Sequence, residues 1–286
     1  MHEAEADMIR PWLASGFEAE LFEAALENLK DYANPLRFNN FANAVRETVR
    51  HVLKRLAPDQ EVLRCRWYQN ETGKQDGITR KQRAYFAVQG GLSDEYVKTS
   101  LGLDSEADHK ALGKAIDELH KFTHIEPSTF GVPGTQAEQF AADTLAAVAS
   151  VLQTVGECRR RIAERLETQI DEAAVDSVLS DSLPGLVDLA SHFSVQEVSV
   201  GSVVVTGIDH ERIHIEVTGT IDCILQFSSN SDIRRGDGAE IPQSFAFSCQ
   251  LWCPVEDPDE LEVIEDSVGV DTREWEAMRY GRDEHD

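Results

Sequence analysis

The chain has 286 residues, 41% of them hydrophobic and 28% charged, with a net charge of −25. The apolar share supports a real core, and the length points to about two domains. The charge excludes an overall basic surface built for a polyanion, and the lack of any run of ~20 apolar residues excludes a membrane-spanning helix.

Residues 1–33 open on MHEAEADMIRPWLASGFEAE, which is acidic and lacks a basic stretch before an apolar one. No signal peptide and a cytoplasmic location are expected. The same segment reads as one or two amphipathic helices, with Leu21, Phe22, Ala25 and Leu29 on one stripe. Asn34, Pro35 and Leu36 break it. Phe38, Phe41, Val45, Val49, Val52, Leu53 and Leu56 then recur with helical period until Pro58. A short apolar run and a Gly-containing loop follow. Thr79 and Gln82 form a capping-box pattern, and Gly90 and Gly91 are a natural stop. Ser93 caps a short helix, and another runs from Asp104 or Ser105 to about Thr123. Thr135 and Glu138 form a second capping-box pattern before a helical stretch from Gln136 to about Leu179.

From Ser194 the hydrophobic period changes to two. Ile213, Ile215, Val217, Ile221, Cys223, Leu225 and Phe227 share one strand face, and Phe245, Phe247, Cys249, Leu251 and Cys253 share another. The expected fold class is α+β: an N-terminal helical bundle, then a small antiparallel β-sandwich or barrel. The expected divisions are helices at 1–33, a helical core at 34–130, a helical hairpin or stalk with linker at 131–190, a β domain at 191–255, and a loose acidic tail at 256–286. The five cysteines, with no CxxC, read as buried free thiols.

Charge is unevenly spread. From Asn43 to Arg83 there are ten Lys or Arg against five Asp or Glu, whereas Glu256 to Asp286 holds thirteen acids and three bases. The basic stretch holds RETVRHVLKR, in which Arg46 and His51 form an Arg-x-x-x-x-His pair. At 100° per residue these two fall about 140° apart and do not converge unaided. Arg46 and Arg50 share a flank and suit a phosphate. Arg80 and Arg83 extend the basic segment as further substrate-binding candidates. In KAIDELHKFTHIEP, Asp117, His120 and His124 stack on one flank beside a buried stripe. An imidazole pair with a carboxylate can run acid–base chemistry, and two His at i, i+4 can also meet one metal ion. Asp108-His-Lys110 matches a metal-nuclease motif in letters only, because it reads as helix. Gly236 and Gly238 in RRGDGA permit a tight turn beside Arg234 but match no phosphate loop, and there is no G-x-S-x-G or G-x-G-x-x-G. No cofactor or bound metal is expected.

The strings RFNNFANAVRETVRHVLKRLAPDQEV, ITRKQRAYFAVQGGLSDEYV, IDELHKFTHI and IDCILQFSSNSDIRRGDGAEIPQSFAFSCQL resemble the predicted nucleases associated with prokaryotic PIWI-type loci. The helical half also resembles a HEPN domain, whose Arg–His motif Arg46 and His51 match in spacing. The resemblance implies a nuclease-like effector in a prokaryotic defence setting, with a nucleic-acid substrate and a protein partner from the same locus. On this reading Arg46 and Arg50 hold phosphate while His120, His124 or His51 move protons without a metal. Two alternatives stay open: a non-enzymatic adaptor, which the charge and the incomplete motifs favour, and a metal-dependent hydrolase using His120 and His124. Homo-oligomerisation is left open.

Overall fold

The computed structural model describes residues 2–14, 16–180, 183–190, 192–228, 235 and 239–280. Arg234, Gly236 and Gly238 of the RRGDGA turn lie outside the described residues. The fold class is α+β, with helices leading and an antiparallel sheet following. The chain divides into two compact units, Met1–Cys158 and Arg159–Asp286. That division falls inside a helix, earlier than the change of hydrophobic period near Ser194.

The first unit comprises α1 (Glu3–Ile9), α2 (Phe17–Lys30), α3 (Arg37–Leu56), α4 (Asp59–Arg64), α5 (Arg80–Gln89), α6 (Glu106–Phe122) and most of α7 (Gly134–Arg165). Phe38, Phe41, Val45, Val49, Val52 and Leu53 are all buried, so the periodic stripe is the inward face of α3. It packs against α2, α5 and α6. Phe38 sets its ring 4.9 Å from that of Phe122 and 5.9 Å from that of Phe140, which joins the ends of α3, α6 and α7.

Local signals set the helix ends. The Thr79–Gln82 capping box forms in full, and Gly90 ends α5 at φ 55°. The Tyr96 amide donates to Ser93 Oγ at 3.1 Å. The second expected capping box does not form, because α7 already begins at Gly134. Glu138 turns instead to His2 at 2.9 Å and Arg37 at 3.2 Å. Arg37 is buried, and such a guanidinium requires a carboxylate.

In the second unit, α8 (Glu167–Ser180) follows α7 almost without interruption. The Leu166 amide donates to the Ile162 carbonyl at 3.0 Å and the Ile170 amide to the Leu166 carbonyl at 2.9 Å. The helical ladder therefore carries through Leu166, and no hairpin turn forms there.

After α9 (Pro184–Val187) come β1 (His192–Ile208), β2 (Arg212–Gln226), β3 (Glu240–Pro254), β4 (Glu262–Val263) and β5 (Gly269–Asp271). They form one open antiparallel sheet in the order β1-β2-β3-β4, with β5 also on β3. This corrects the expected sandwich or barrel. The alternating face is covered by α8 and α9, which pack on β1, β4 and β5, so a second sheet is not needed to bury it. The segment expected to be a loose acidic tail contributes β4, β5 and α10 (Arg273–Tyr280).

The inward residues of β2 and β3 read off the sequence are buried, save Phe227, which is partly exposed. Gly219 lies opposite Val200 and Phe247. A Cβ there would run into the Ser199 carbonyl and the Phe247 ring, so the sheet face closes only over glycine. Gly219→Ala is expected to cost roughly 1–3 kcal/mol, the range for overpacking a filled core, and to lower the thermal midpoint. A melt matching wild type would show that Phe247 moves aside freely.

Candidate functional site

The outward side of α3 carries the polar residues that its core stripe leaves over. Four of them join into one ribbon. Arg50 Nε donates to Glu47 Oε2 at 2.7 Å, and Arg46 Nη2 donates to Glu47 Oε1 at 2.9 Å. Arg50 Nη2 lies 2.9 Å from His51 Nε2. Arg46 Nη1 reaches across to α6 and lies 3.3 Å from His120 Nδ1. Arg46 is the more enclosed, with 20% of its side chain exposed against 49% for Arg50. The Arg46 Nε is buried and has no hydrogen-bond partner among the described residues. Burial works against ionisation of Glu47, but the hydrogen bonds and attraction of Arg50 and then Arg46 hold its carboxyl below the ordinary value.

The two members of the Arg-x-x-x-x-His pair thus point to different partners. Arg46 meets His120, while His51 meets Arg50 and packs edge-on against Phe17 at 5.1 Å. The helical twist that separates positions 46 and 51 is what divides them.

His120 sits in the last turn of α6. His124 lies just past the helix end, yet its ring remains 5.6 Å from that of His120, at 82°. The connecting chain is held there by side chains. Thr129 Oγ1 donates to the His124 carbonyl at 2.9 Å. Buried Asn39 donates from Nδ2 to the Phe122 carbonyl at 2.9 Å and the Thr129 carbonyl at 3.2 Å. Asn39 therefore fixes the end of α6 relative to α3.

Asp117 is exposed on the preceding turn. It is Arg46, not Asp117, that touches His120 Nδ1, so the imidazole is oriented by a guanidinium rather than a carboxylate. A divalent ion on that ring would sit beside this positive charge, which disfavours a metal shared by His120 and His124.

Arg80 is the exposed first residue of α5. Arg83 is engaged structurally: Nη1 donates to the Ala57 carbonyl at 2.8 Å and Nη2 pairs with Asp59 at 2.7 Å, tying α5 to the α3–α4 junction. Asp108 accepts from the hydroxyls of Ser150 at 2.6 Å and Thr154 at 2.8 Å, so it serves packing between α6 and α7.

A second polar cluster gave no sequence signal. The Tyr85 hydroxyl donates to Asp94 and accepts from Gln89 Nε2 at 2.9 Å. Burial, then Asp94, pushes the Tyr85 pKa up. Trp67 packs edge-on to Tyr85 at 4.5 Å. Together with Gln69, Glu71, Lys81, Gln82 and Asp94 these rings line a cleft of about 260 Å³.

Next to Tyr85 lies His109, 6% exposed, with neither ring nitrogen hydrogen-bonded among the described residues. Burial lowers its pKa, and the nearby Asp108 only partly opposes this. Between its folded and unfolded pKa values, the unfolded chain takes up a proton that the folded chain refuses. This contribution to stability is full above the unfolded value of about 6.5 and is lost as pH falls through it toward the folded value. Denaturant titrations from pH 7.5 to pH 5 are expected to show falling stability, at up to about 1.4 kcal/mol per pH unit. The His109→Phe variant should flatten that dependence, and an unchanged slope would remove His109 as its source.

Two family models, each described as a predicted pPIWI-associating nuclease, match the chain, one over residues 11–148 and the other over residues 155–276. No curated protein and no solved structure matches it. The unmatched stretch between the two models lies inside α7, a few residues before the boundary between the compact units. With nearly the whole chain covered by two models of one description, the protein belongs to the predicted pPIWI-associating nucleases.

Proposed function

We propose that the chain is a nuclease effector of a prokaryotic defence system, cleaving RNA or DNA by acid–base chemistry without a metal. Its working surface is the contact of Arg46 with His120. That juxtaposition of a guanidinium and an imidazole, brought together from α3 and α6 at 3.3 Å, carries the reading. A guanidinium binds a phosphodiester through paired N–H groups and offsets the charge that grows on its oxygens in the transition state. An imidazole transfers protons near neutral pH.

The roles follow from the hydrogen bonds. Once a phosphate draws Arg46 away from Nδ1, His120 takes up a second proton; as imidazolium it gives the Nε2 proton to the leaving oxygen and returns to the neutral ring. His124 takes the proton of the attacking hydroxyl or water. Arg50 and His51 extend the anion-binding strip along α3, and Arg80 and Asp117 lie outside this contact. The HEPN-like sequence motif thus contributes Arg46, with His120 in place of His51 as its proton-carrying partner.

A second reading is a non-enzymatic adaptor that docks a partner protein of the same locus. The net charge of −25 and the pairing of both arginines with Glu47 favour it.

Cleavage of labelled RNA and DNA by wild type, His120→Ala, His124→Ala and Arg46→Ala, with and without chelator, separates these readings. General acid–base catalysis is typically worth 10²–10⁴-fold, and each histidine variant is expected to lose about that factor with its fold intact. Activity should survive chelator, and loss there would point to a two-histidine metal site. Equal activity in wild type and both histidine variants would remove the pair from the mechanism. No cleavage by wild type, even beside its natural partner, would leave the adaptor.

A further inference from the structure

Glu47 occupies an unusual position in the ribbon. Residues adjacent in a helix do not face each other, so Arg46 and Glu47 have no reason of spacing to pair. They pair because Glu47 is shared. One carboxylate oxygen takes Arg46 Nη2 at 2.9 Å and the other takes Arg50 Nε at 2.7 Å. Two oxygens of one anion, each held by a separate guanidinium, is also what the two non-bridging oxygens of a phosphodiester ask for.

The local charges decide what this does to a ligand. With both imidazoles neutral, the strip from His51 to His120 carries two guanidiniums and one carboxylate, a sum of +1. Glu18, which interacts electrostatically with His51, is itself paired with Arg55 at 2.8 Å. An incoming phosphodiester therefore meets the Glu47 carboxylate on the N–H groups it would use itself.

We infer that Glu47 is a built-in substitute for the substrate phosphate: it holds Arg46 and Arg50 in an anion-binding arrangement and must be displaced before nucleic acid can seat. This rests on the proposed role of Arg46 and Arg50 in holding phosphate. It makes Glu47 a residue that sets affinity and threshold, admitting only a ligand whose other contacts outweigh the loss of the internal pair. Because displacement frees both guanidiniums together, the site switches from closed to fully charged in one step.

The test is binding by the full-length chain, in chelator, of labelled single-stranded RNA and DNA oligonucleotides across a salt series. Wild type, Glu47→Gln, Arg46→Ala/Arg50→Ala and the triple variant are compared, with thermal melts as a check on folding. Glu47→Gln keeps the side-chain shape and removes the charge. It is expected to bind about tenfold tighter, since one unit charge a few ångströms away in a part-solvated site is worth about that factor. Its plot of log affinity against log salt should steepen by about one phosphate contact. If Glu47→Gln misfolds, Glu47→Ala serves as the second charge-free variant.

Equal or weaker binding by Glu47→Gln, with wild-type binding lost in Arg46→Ala/Arg50→Ala, would overturn the role of Glu47 and leave the phosphate-holding arginines standing. Tighter binding that persists in the triple variant would also overturn it, as a general charge effect. No binding by any variant would overturn both.

Discussion

Burying one face of the Arg37–Leu56 helix is the constraint from which the helical unit follows. That face holds Phe38, Phe41, Val45, Val49, Val52 and Leu53, and each is at most 6% exposed. A helix with so wide an apolar stripe is stable only when other elements cover it, and α2, α5 and α6 do so. The same constraint decides where the polar residues go. Arg46, Glu47, Arg50 and His51 fall on the side left uncovered, where they satisfy one another. The candidate site is thus a by-product of core formation placed beside the one helix end, that of α6, which brings histidines to it.

Stability and chemistry press on different parts of this arrangement. Asn39 is buried and joins α3 to the end of α6 and the chain beyond it, so it positions His120 and His124 without touching a ligand. Arg83 and Arg37 are cations used to close the structure, one at the α3–α4 junction and one inside the bundle. In a chain of net charge −25 each basic residue used this way is unavailable to a phosphate. The unsatisfied Arg46 Nε is the opposite case, a buried donor that packing leaves unpaired beside the ribbon.

In the sheet unit, alternation and a single glycine do comparable work. Phe247 fits over Gly219, and the helices α8 and α9 complete the cover. Cys223, Cys249 and Cys253 lie in that apolar layer. Burial pushes the Cys249 thiol up to about 11 and, with Asp259 adding to it, the Cys253 thiol up to about 12, so both stay protonated and unreactive at neutral pH.

The sequence by itself determined the type of each long element and its inward face, because a 3.6-residue period and a two-residue period are local and cannot be mistaken over many residues. It also determined the Thr79 capping box and the separation of Arg46 from His51, since both depend only on helix geometry. It did not determine whether the sheet closes, because the alternating face looks the same under a second sheet or under helices. Contacts far apart in the chain were decided by tertiary structure alone. The meeting of Arg46 with His120, 74 positions apart, depends on how α3 and α6 pack. So does the diversion of Glu138 from a helix cap to Arg37, 101 positions away. His109, Trp67 and Tyr85 carry no mark in the sequence, because a lone buried histidine and two aromatic rings become a cluster only when separate segments are folded against one another.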